Sequence, residues 1–315
     1  MTVREIETEV LSVDREADGV LSLRLGPTGA DALPPWEPGA HVDLLLGGDL
    51  ERQYSLCGAP EARDAWRIAV LREPESRGGS AFVHTSVAAG DRLTVRGPRN
   101  HFNLVEADAY RFVAGGIGIT PILPMLARLS AEGRPWRLLY GGRRRGSMAF
   151  VDELAALGGD VVLWPQDEHG LLDLDAFLGP PADGTAIYCC GPEGLLAAVE
   201  ARAERWPAGA LHLERFAPKD GALEGAATAF EVVLQESGIT IAVGPDETIA
   251  DAIEAAGVDV DTSCREGTCG TCETAVLEGV PDHRDSVLSA SEQASGEVMM
   301  ICCSRARTPR LVLDL

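Results

Sequence analysis

Residues 264–272 read CREGTCGTC and place Cys264, Cys269 and Cys272 within nine positions. Thiols at this density either bind metal or pack as reduced side chains. A thiolate-held centre takes four ligands, and only Cys302 and Cys303, in MMICCSRA, follow Cys272. Counting to the first of them gives C-x4-C-x2-C-x29-C, the spacing of four thiolates around a [2Fe–2S] cluster. Three ligands on one loop must curl round a cluster with backbone N–H groups facing sulfur. Gly267 and Gly270 supply the backbone freedom for that. The competing readings are plain buried thiols and structural zinc. Zinc favours two paired C-x2-C units, and this chain has one. Read as a strand, MMICCSRA sends neighbouring side chains to opposite faces, so only one of Cys302 and Cys303 turns inward.

Three further segments could do chemistry. In RQYSL, Arg52 can neutralise a phosphate while Tyr54 and Ser55 contact an aromatic ring system. SRGGS, 76–80, precedes the helical stretch AFVHTSV, so Gly78, Gly79 and Ser80 offer backbone N–H groups at a helix N-terminus, an anion site. AGGIGITP, 114–121, joins a strand to a helix. Gly115, Gly116 and Gly118, ahead of Pro121, let the backbone approach a pyrophosphate, although the third glycine of G-x-G-x-x-G is missing. The Arg run in GGRRR, 141–145, fits either a 2′-phosphate or a solvated turn. None of the six histidines forms H-E-x-x-H, and His169 and His283 read as solvated turn residues. There is no G-x-S-x-G and no P-loop, so hydrolase and kinase readings have no support.

These segments need elements to position them. The 315 residues suffice for two or three domains. HVDLLL, RQYSL, WRIAVLR and RLTVRG are β-prone runs between turn residues, which predicts an antiparallel β-barrel or sandwich over 1–104. From Arg111, strand and helix patterns alternate, which predicts a parallel-sheet α/β domain over 105–217. APKDGALEGAAT, from Ala217, is small and polar and predicts a linker over 218–229. A third domain over 230–315 opens with FEVVLQ and ITIAV as strands and TIADAIEAAG as an amphipathic stretch. A net charge of −22 argues against nucleic acid. Residues 229–315 hold sixteen Asp/Glu and five Arg, a net of −11. Such an acidic module suits docking to a basic protein partner, or is simply a solvated surface. MTVREIETEV has charges where a secretory leader needs an apolar run, so the expectation is a cytoplasmic protein with reduced thiols and no membrane partner.

Together R-x-Y-S-L-C, I-A-V-L-R, S-R-G-G-S and P-R-N-x-F closely resemble the phthalate dioxygenase reductase and vanillate demethylase reductase family. The likeness runs through GGIGITP, C-G-P and the C-terminal cysteines, covering nearly the whole chain in matching order. It implies an FMN-binding β-barrel, an NAD-binding α/β domain and an α+β (β-grasp) plant-type ferredoxin domain. Carried over, Arg52, Gly78, Gly79 and Ser80 hold the FMN phosphate, and Tyr54, Ser55 and Val70 line the isoalloxazine. Thr120 sits near the flavin N5, Cys190, Gly191 and Pro192 border the nicotinamide, and Phe216 in HLERF covers the flavin. The family's V-C-x-S-R-A selects Cys302 as fourth ligand, leaving Cys303 as a packed thiol. FAD-binding relatives use a longer region to hold adenine, which this barrel lacks. NADH-using members also carry Arg at GGRRR, so NADH is the expected donor. The implied function is an NADH-dependent reductase feeding a Rieske-type terminal oxygenase, since a flavin can take an electron pair and release single electrons to a cluster. A cytochrome P450 is the alternative acceptor. A non-catalytic redox sensor is the weaker alternative, and no segment is left over for its signalling part. The chain is taken to act as a monomer.

Overall fold

The computed structural model describes residues 4–48, 50–76, 78–225 and 228–315. One compact unit ends at Glu214 and a second begins at Arg215. In the first, six strands come before any βα alternation: β1 (Glu5–Ala17), β2 (Val20–Pro27), β3 (His41–Leu45), β4 (Glu51–Ser55), β5 (Trp66–Leu71) and β6 (Arg92–Arg99). They pair antiparallel in the order β4-β3-β6-β1-β2-β5. A bridge between Leu56 and Ile68 brings the two ends of the sheet together, so the sheet curls into a barrel. The period-two pattern drives this. In β6, Leu93 and Val95 are buried in the barrel core while the alternate residues Thr94 and Arg96 are not. A buried Asp43–Arg99 ion pair closes the β3–β6 seam. Losing one partner would strand the other charge, at about 3–5 kcal/mol. Beside it, burial and the nearby Arg99 push His41 down to about 3, so it is neutral at pH 7. The helix α1 (Gly79–Ser86) follows β5.

The remainder of the first unit alternates: β7 (Ala109–Gly115), α2 (Ile119–Ala131), β8 (Trp136–Gly142), α3 (Val151–Ala156), β9 (Asp160–Pro165), α4 (Gln166–His169), α5 (Leu174–Leu178), β10 (Thr185–Cys190), α6 (Glu193–Ala203) and β11 (Leu211–Glu214). All five strands are parallel, ordered β11-β10-β7-β8-β9. Both faces are covered, and β7 shows why. Tyr110, Phe112 and Ala114 pack with α2, while Val113 between them joins Leu139, Ile187 and α6 on the other side. Because β7 is central, the chain first builds outward through β8 and β9, then returns to place β10 and β11 on the opposite side. The loops after β7 and β10 therefore leave a crevice at the carboxyl ends of those strands, where open α/β sheets bind ligands.

In the second unit, β12 (Phe230–Leu234) and β13 (Ile239–Val243) form a hairpin, α7 (Ile249–Ala255) follows, and β14 (Glu273–Glu278), β15 (Pro281–Asp282), α8 (Ala290–Ser295), β16 (Val298–Met300), β17 (Arg305–Ala306) and β18 (Arg310–Leu313) complete it. The sheet runs β13-β12-β18-β14-β16, with β12 parallel to β18. Ile249, Ala250 and Ile253 lay one face of α7 on its core. Thr248 starts that helix as a capping box with Asp251.

Two expectations need correcting here. MMICCSRA is not one strand: β16 stops at Met300 and residues 301–303 form a turn closed by Ser304 N–H donating to the Met300 carbonyl at 2.9 Å. Strand alternation therefore does not govern Cys302 and Cys303. Nor is His283 solvated. Its side chain is only 8% exposed, 3.6 Å from the buried Asp285, because PDHRDS packs behind the cysteine loop.

Candidate flavin, nicotinamide and cluster sites

β4 carries the flavin candidates in alternation. Tyr54 is half-buried and packs against the barrel core. Its phenol is pushed up to about 12, mainly by burial against the opposing effect of Arg52, so it stays neutral. Arg52 lies across the first residue of α1: a Cβ on Gly79 would come 2.3 Å from Arg52 Cγ. Only glycine lets the guanidinium stem cross there. Around the same helix start, Gly78 N–H and Ala81 N–H donate to Ser76 Oγ at 3.2 and 3.3 Å, and Ser80 Oγ bonds it at 3.0 Å. Donors and a cation thus converge at the N-terminus of α1, which fits a phosphate monoester. Arg77 lies outside the described residues. Val70 lies on β5, at the opposite end of the strand order from β4. Its side chain is buried in the barrel core, and its carbonyl accepts from His84 Nε2–H at 2.9 Å, which pins α1 to β5.

At the crevice the loops after β7 and β10 touch. A Cβ on Gly118 would meet the Cys190 carbonyl at 2.3 Å, and one on Gly115 would meet Pro192 Cδ at 2.7 Å. These two glycines serve the close approach of loop to loop. Gly116, at φ +56, has open space where a side chain would project, so it is the glycine over which a pyrophosphate could lie. Gly191 presses on Gly115 from the other side, and Pro121 is buried in the first turn of α2. Thr120 is 2% exposed and its hydroxyl donates to the Ile117 carbonyl at 2.9 Å.

The register of β10 and β11 sets Cys190 beside Glu214. Ser55 Oγ donates to Glu214 Oε2 at 3.5 Å, and Cys190 Sγ reaches the same oxygen at 4.0 Å. Desolvation pushes the Glu214 carboxyl up to about 8, opposed by the Ser55 bond. Burial first, then Glu214, raises the Cys190 thiol well above its ordinary value. Glu214 was not among the expected site residues. A carboxylate ending a strand two positions before Phe216, in HLERF, was the available signal. Phe216 itself falls in the second unit and is 45% exposed. Of the Arg run, Arg144 pairs with Asp18 at 3.2 Å, so that side chain ties the nucleotide sheet to the barrel. Cys189 is a fully buried core thiol.

In the second unit, Cys269, Cys272 and Cys302 are buried, while Cys264 keeps some exposure. Glu266 N–H and Thr268 N–H donate to Cys264 Sγ at 3.4 and 3.3 Å. Gly267 has φ +71, and a Cβ there would meet Cys303 Sγ at 2.6 Å and Asp285 Cα at 2.8 Å. Among the described residues no three His, Cys, Asp or Glu side chains close on one point as a single ion requires. Cys264 and Cys269 instead share a hydrogen bond as a pair. N–H groups on a cysteine sulfur suit a ligand thiolate, so the Cys264 loop fits one end of a [2Fe–2S] donor set.

Residues 232–307 match the family model of the 2Fe-2S iron-sulfur cluster binding domain. Phenoxybenzoate dioxygenase subunit beta of Ectopseudomonas oleovorans is 46% identical over 317 residues, covering 100% of this chain and 98% of that one. Phthalate dioxygenase reductase superposes with a TM-score of 0.70 at 36% identity, covering 99% of this chain and 98% of that one. The chain belongs to the phthalate dioxygenase reductase family. It is an NADH-dependent oxidoreductase with FMN and a [2Fe–2S] cluster, and its order of barrel, nucleotide sheet and ferredoxin fold is that of the reductase. The same chain also superposes on an intact type IV self-sufficient cytochrome P450 monooxygenase, with a TM-score of 0.91 at 45% identity. There it covers 99% of this reductase but spans only 41% of the larger protein. Among the described residues no helix is long and apolar enough to cross a membrane.

Proposed function

We propose that this reductase supplies electrons to a separate Rieske-type terminal oxygenase, and that Ser55, Cys190 and Glu214 mark the point where nicotinamide and flavin meet. The observation that carries the second statement is the shared oxygen: one barrel residue, Ser55, and one nucleotide-sheet residue, Cys190, converge on Glu214 Oε2. Bound FMN supplies the conversion of an electron pair into single electrons. The chain's own part is to hold and orient. Arg52 and the α1 N-terminus fix the phosphate end, and Ser55 lies at the far end of the same strand, toward the ring. Gly116 admits the pyrophosphate, while Cys190, Gly191 and Pro192 border the nicotinamide, with Thr120 close by. Glu214 retains its proton at neutral pH, so no carboxylate charge faces the incoming nicotinamide. Cys264, Cys269, Cys272 and Cys302 take the cluster.

The Rieske-type reading is favoured by end-to-end identity with a dioxygenase subunit. A P450 acceptor is the second reading, favoured by the high similarity to the reductase part of the fused monooxygenase. The deciding experiment supplies the purified reductase and NADH to a Rieske oxygenase or to a P450 and measures product formed per NADH consumed. Tight coupling to the P450 alone would overturn the first reading.

A further inference from the structure

The loop between Cys264 and Cys269 contains a residue in an uncomfortable conformation. Arg265 has φ +53, one of two positive-φ residues other than glycine among the described residues. Side chains with a Cβ resist that region. It persists where surrounding contacts over-determine it, and the contacts here are specific. Arg265 Nη1 donates to Asp251 Oδ1 at 2.7 Å, and Nη2 donates to both oxygens of Glu254 at 2.8 and 2.9 Å. Both carboxylates stand on α7. Asp251 is itself fixed, accepting from Thr248 Oγ1 at 2.7 Å at the helix start.

The turn at Arg265 sets the course of the next three residues. Glu266 N–H and Thr268 N–H bend back onto Cys264 Sγ. Cys264 is also the least buried of the four candidate ligands. Its thiolate therefore relies more on those N–H donors than the enclosed sulfurs do.

We propose that Arg265 is a positioning residue for the cluster: clamped between Asp251 and Glu254, it holds the turn that aims two backbone N–H groups at Cys264. The proposal rests on Cys264 being a cluster ligand. Hydrogen bonds to cluster sulfurs raise the reduction potential, so loosening the clamp lowers the potential and exposes the sulfur to attack.

The test uses the full-length holoprotein and three variants, Arg265→Gly, Arg265→Lys and Glu254→Gln. Two readouts are taken: the rate of cluster bleaching under a chelator, and the midpoint potential from an EPR-monitored titration. Arg265→Gly relieves the backbone conformation yet removes the clamp, and is expected to bleach roughly threefold faster or more. Glu254→Gln leaves Arg265 charged and removes a negative charge. Simple electrostatics would raise the potential, whereas loss of the clamp lowers it and speeds bleaching. Arg265→Lys, keeping the charge without the bidentate contact, is expected between wild type and glycine. An Arg265→Gly protein that holds its cluster as long as wild type overturns the proposal. So does a Glu254→Gln protein whose potential rises with bleaching unchanged. A wild-type chain lacking any [2Fe–2S] signal would instead sink the ligand set, and that is seen before any variant is compared.

Discussion

Ser55 Oγ donates to Glu214 Oε2 across 159 positions of sequence, at 3.5 Å, linking the flavin strand of the barrel to the last strand of the nucleotide sheet. The carboxyl that accepts this bond is held protonated to about 8 from an ordinary 4.5.

The raised carboxyl gives a pH dependence with a defined sign. With the folded value raised, Glu214's contribution to stability is complete below about 4.5 and is lost as pH climbs to about 8. NADH-driven ferricyanide reduction is expected to fall through an inflection near 8, as a carboxylate appears beside the nicotinamide. Glu214→Gln should remove that inflection. A Gln variant with an unchanged pH profile would assign the inflection elsewhere.

Loop contact at the crevice makes Gly118 intolerant of a methyl group. Gly118→Ala puts Cβ 2.3 Å from the Cys190 carbonyl, a backbone atom that cannot swing away. Overpacking of this kind costs roughly 1–3 kcal/mol. The expected result is a raised KM for NADH and a lower Tm, with FMN retained. Unaltered NADH kinetics would show that the two loops yield more easily than this packing implies.

The phosphate end of the flavin offers a selective probe. Charge-assisted bonds are worth about 1.5–3 kcal/mol, so Arg52→Ala should weaken FMN binding roughly tenfold to a hundredfold. Riboflavin, lacking the phosphate, should bind wild type and variant alike. Gly79→Ala should act in the same direction by displacing Arg52, whose Cγ it would meet at 2.3 Å. Equal losses for FMN and riboflavin would move Arg52 off the phosphate, and recovery of FAD from the denatured protein would change the cofactor.

For the adjacent cysteines, Cys302→Ser is expected to lose the cluster's visible and EPR signals while keeping FMN and ferricyanide reduction. Cys303→Ser should retain both signals. Cys302 is 3% exposed within the ferredoxin core. The Cys303 sulfur packs on Gly267. Loss of the cluster from Cys303→Ser alone would shift the ligand by one residue.

Electron delivery to an oxygenase is expected to slow as salt rises, because residues 229–315 carry a net charge of −11 and screening shortens its reach to about 8 Å at 0.15 M. Reduction of a small neutral dye at the flavin should respond much less. A delivery rate that stays flat with salt would make the acidic surface a matter of solubility.

Local patterns made much of this architecture legible in advance. HVDLLL, WRIAVLR and RLTVRG are β-prone runs between turn residues, and β3, β5 and β6 form there. GGIGITP and SRGGS announced the strand-to-helix turn and the helix start that are present. What escaped depends on contacts distant in sequence. Nothing near Glu214 says that Ser55 will fold against it. The turn at Cys302 and Cys303 is hidden because a buried MMIC run reads equally as strand. PDHRDS reads as a polar turn, and segments distant in sequence cover it, the cysteine loop through Gly267 and the chain after the last cysteine through Ser304.

The first compact unit closes at Glu214 and the second opens at Arg215. The seam between them falls one peptide bond beyond the protonated acid. Anyone splicing a different electron carrier onto this reductase should cross over at Arg215 or later. A graft made one residue earlier would keep every glycine of both cofactor loops, bind FMN with an ordinary spectrum and pass as intact. It would have lost the carboxyl expected to give turnover its inflection near pH 8.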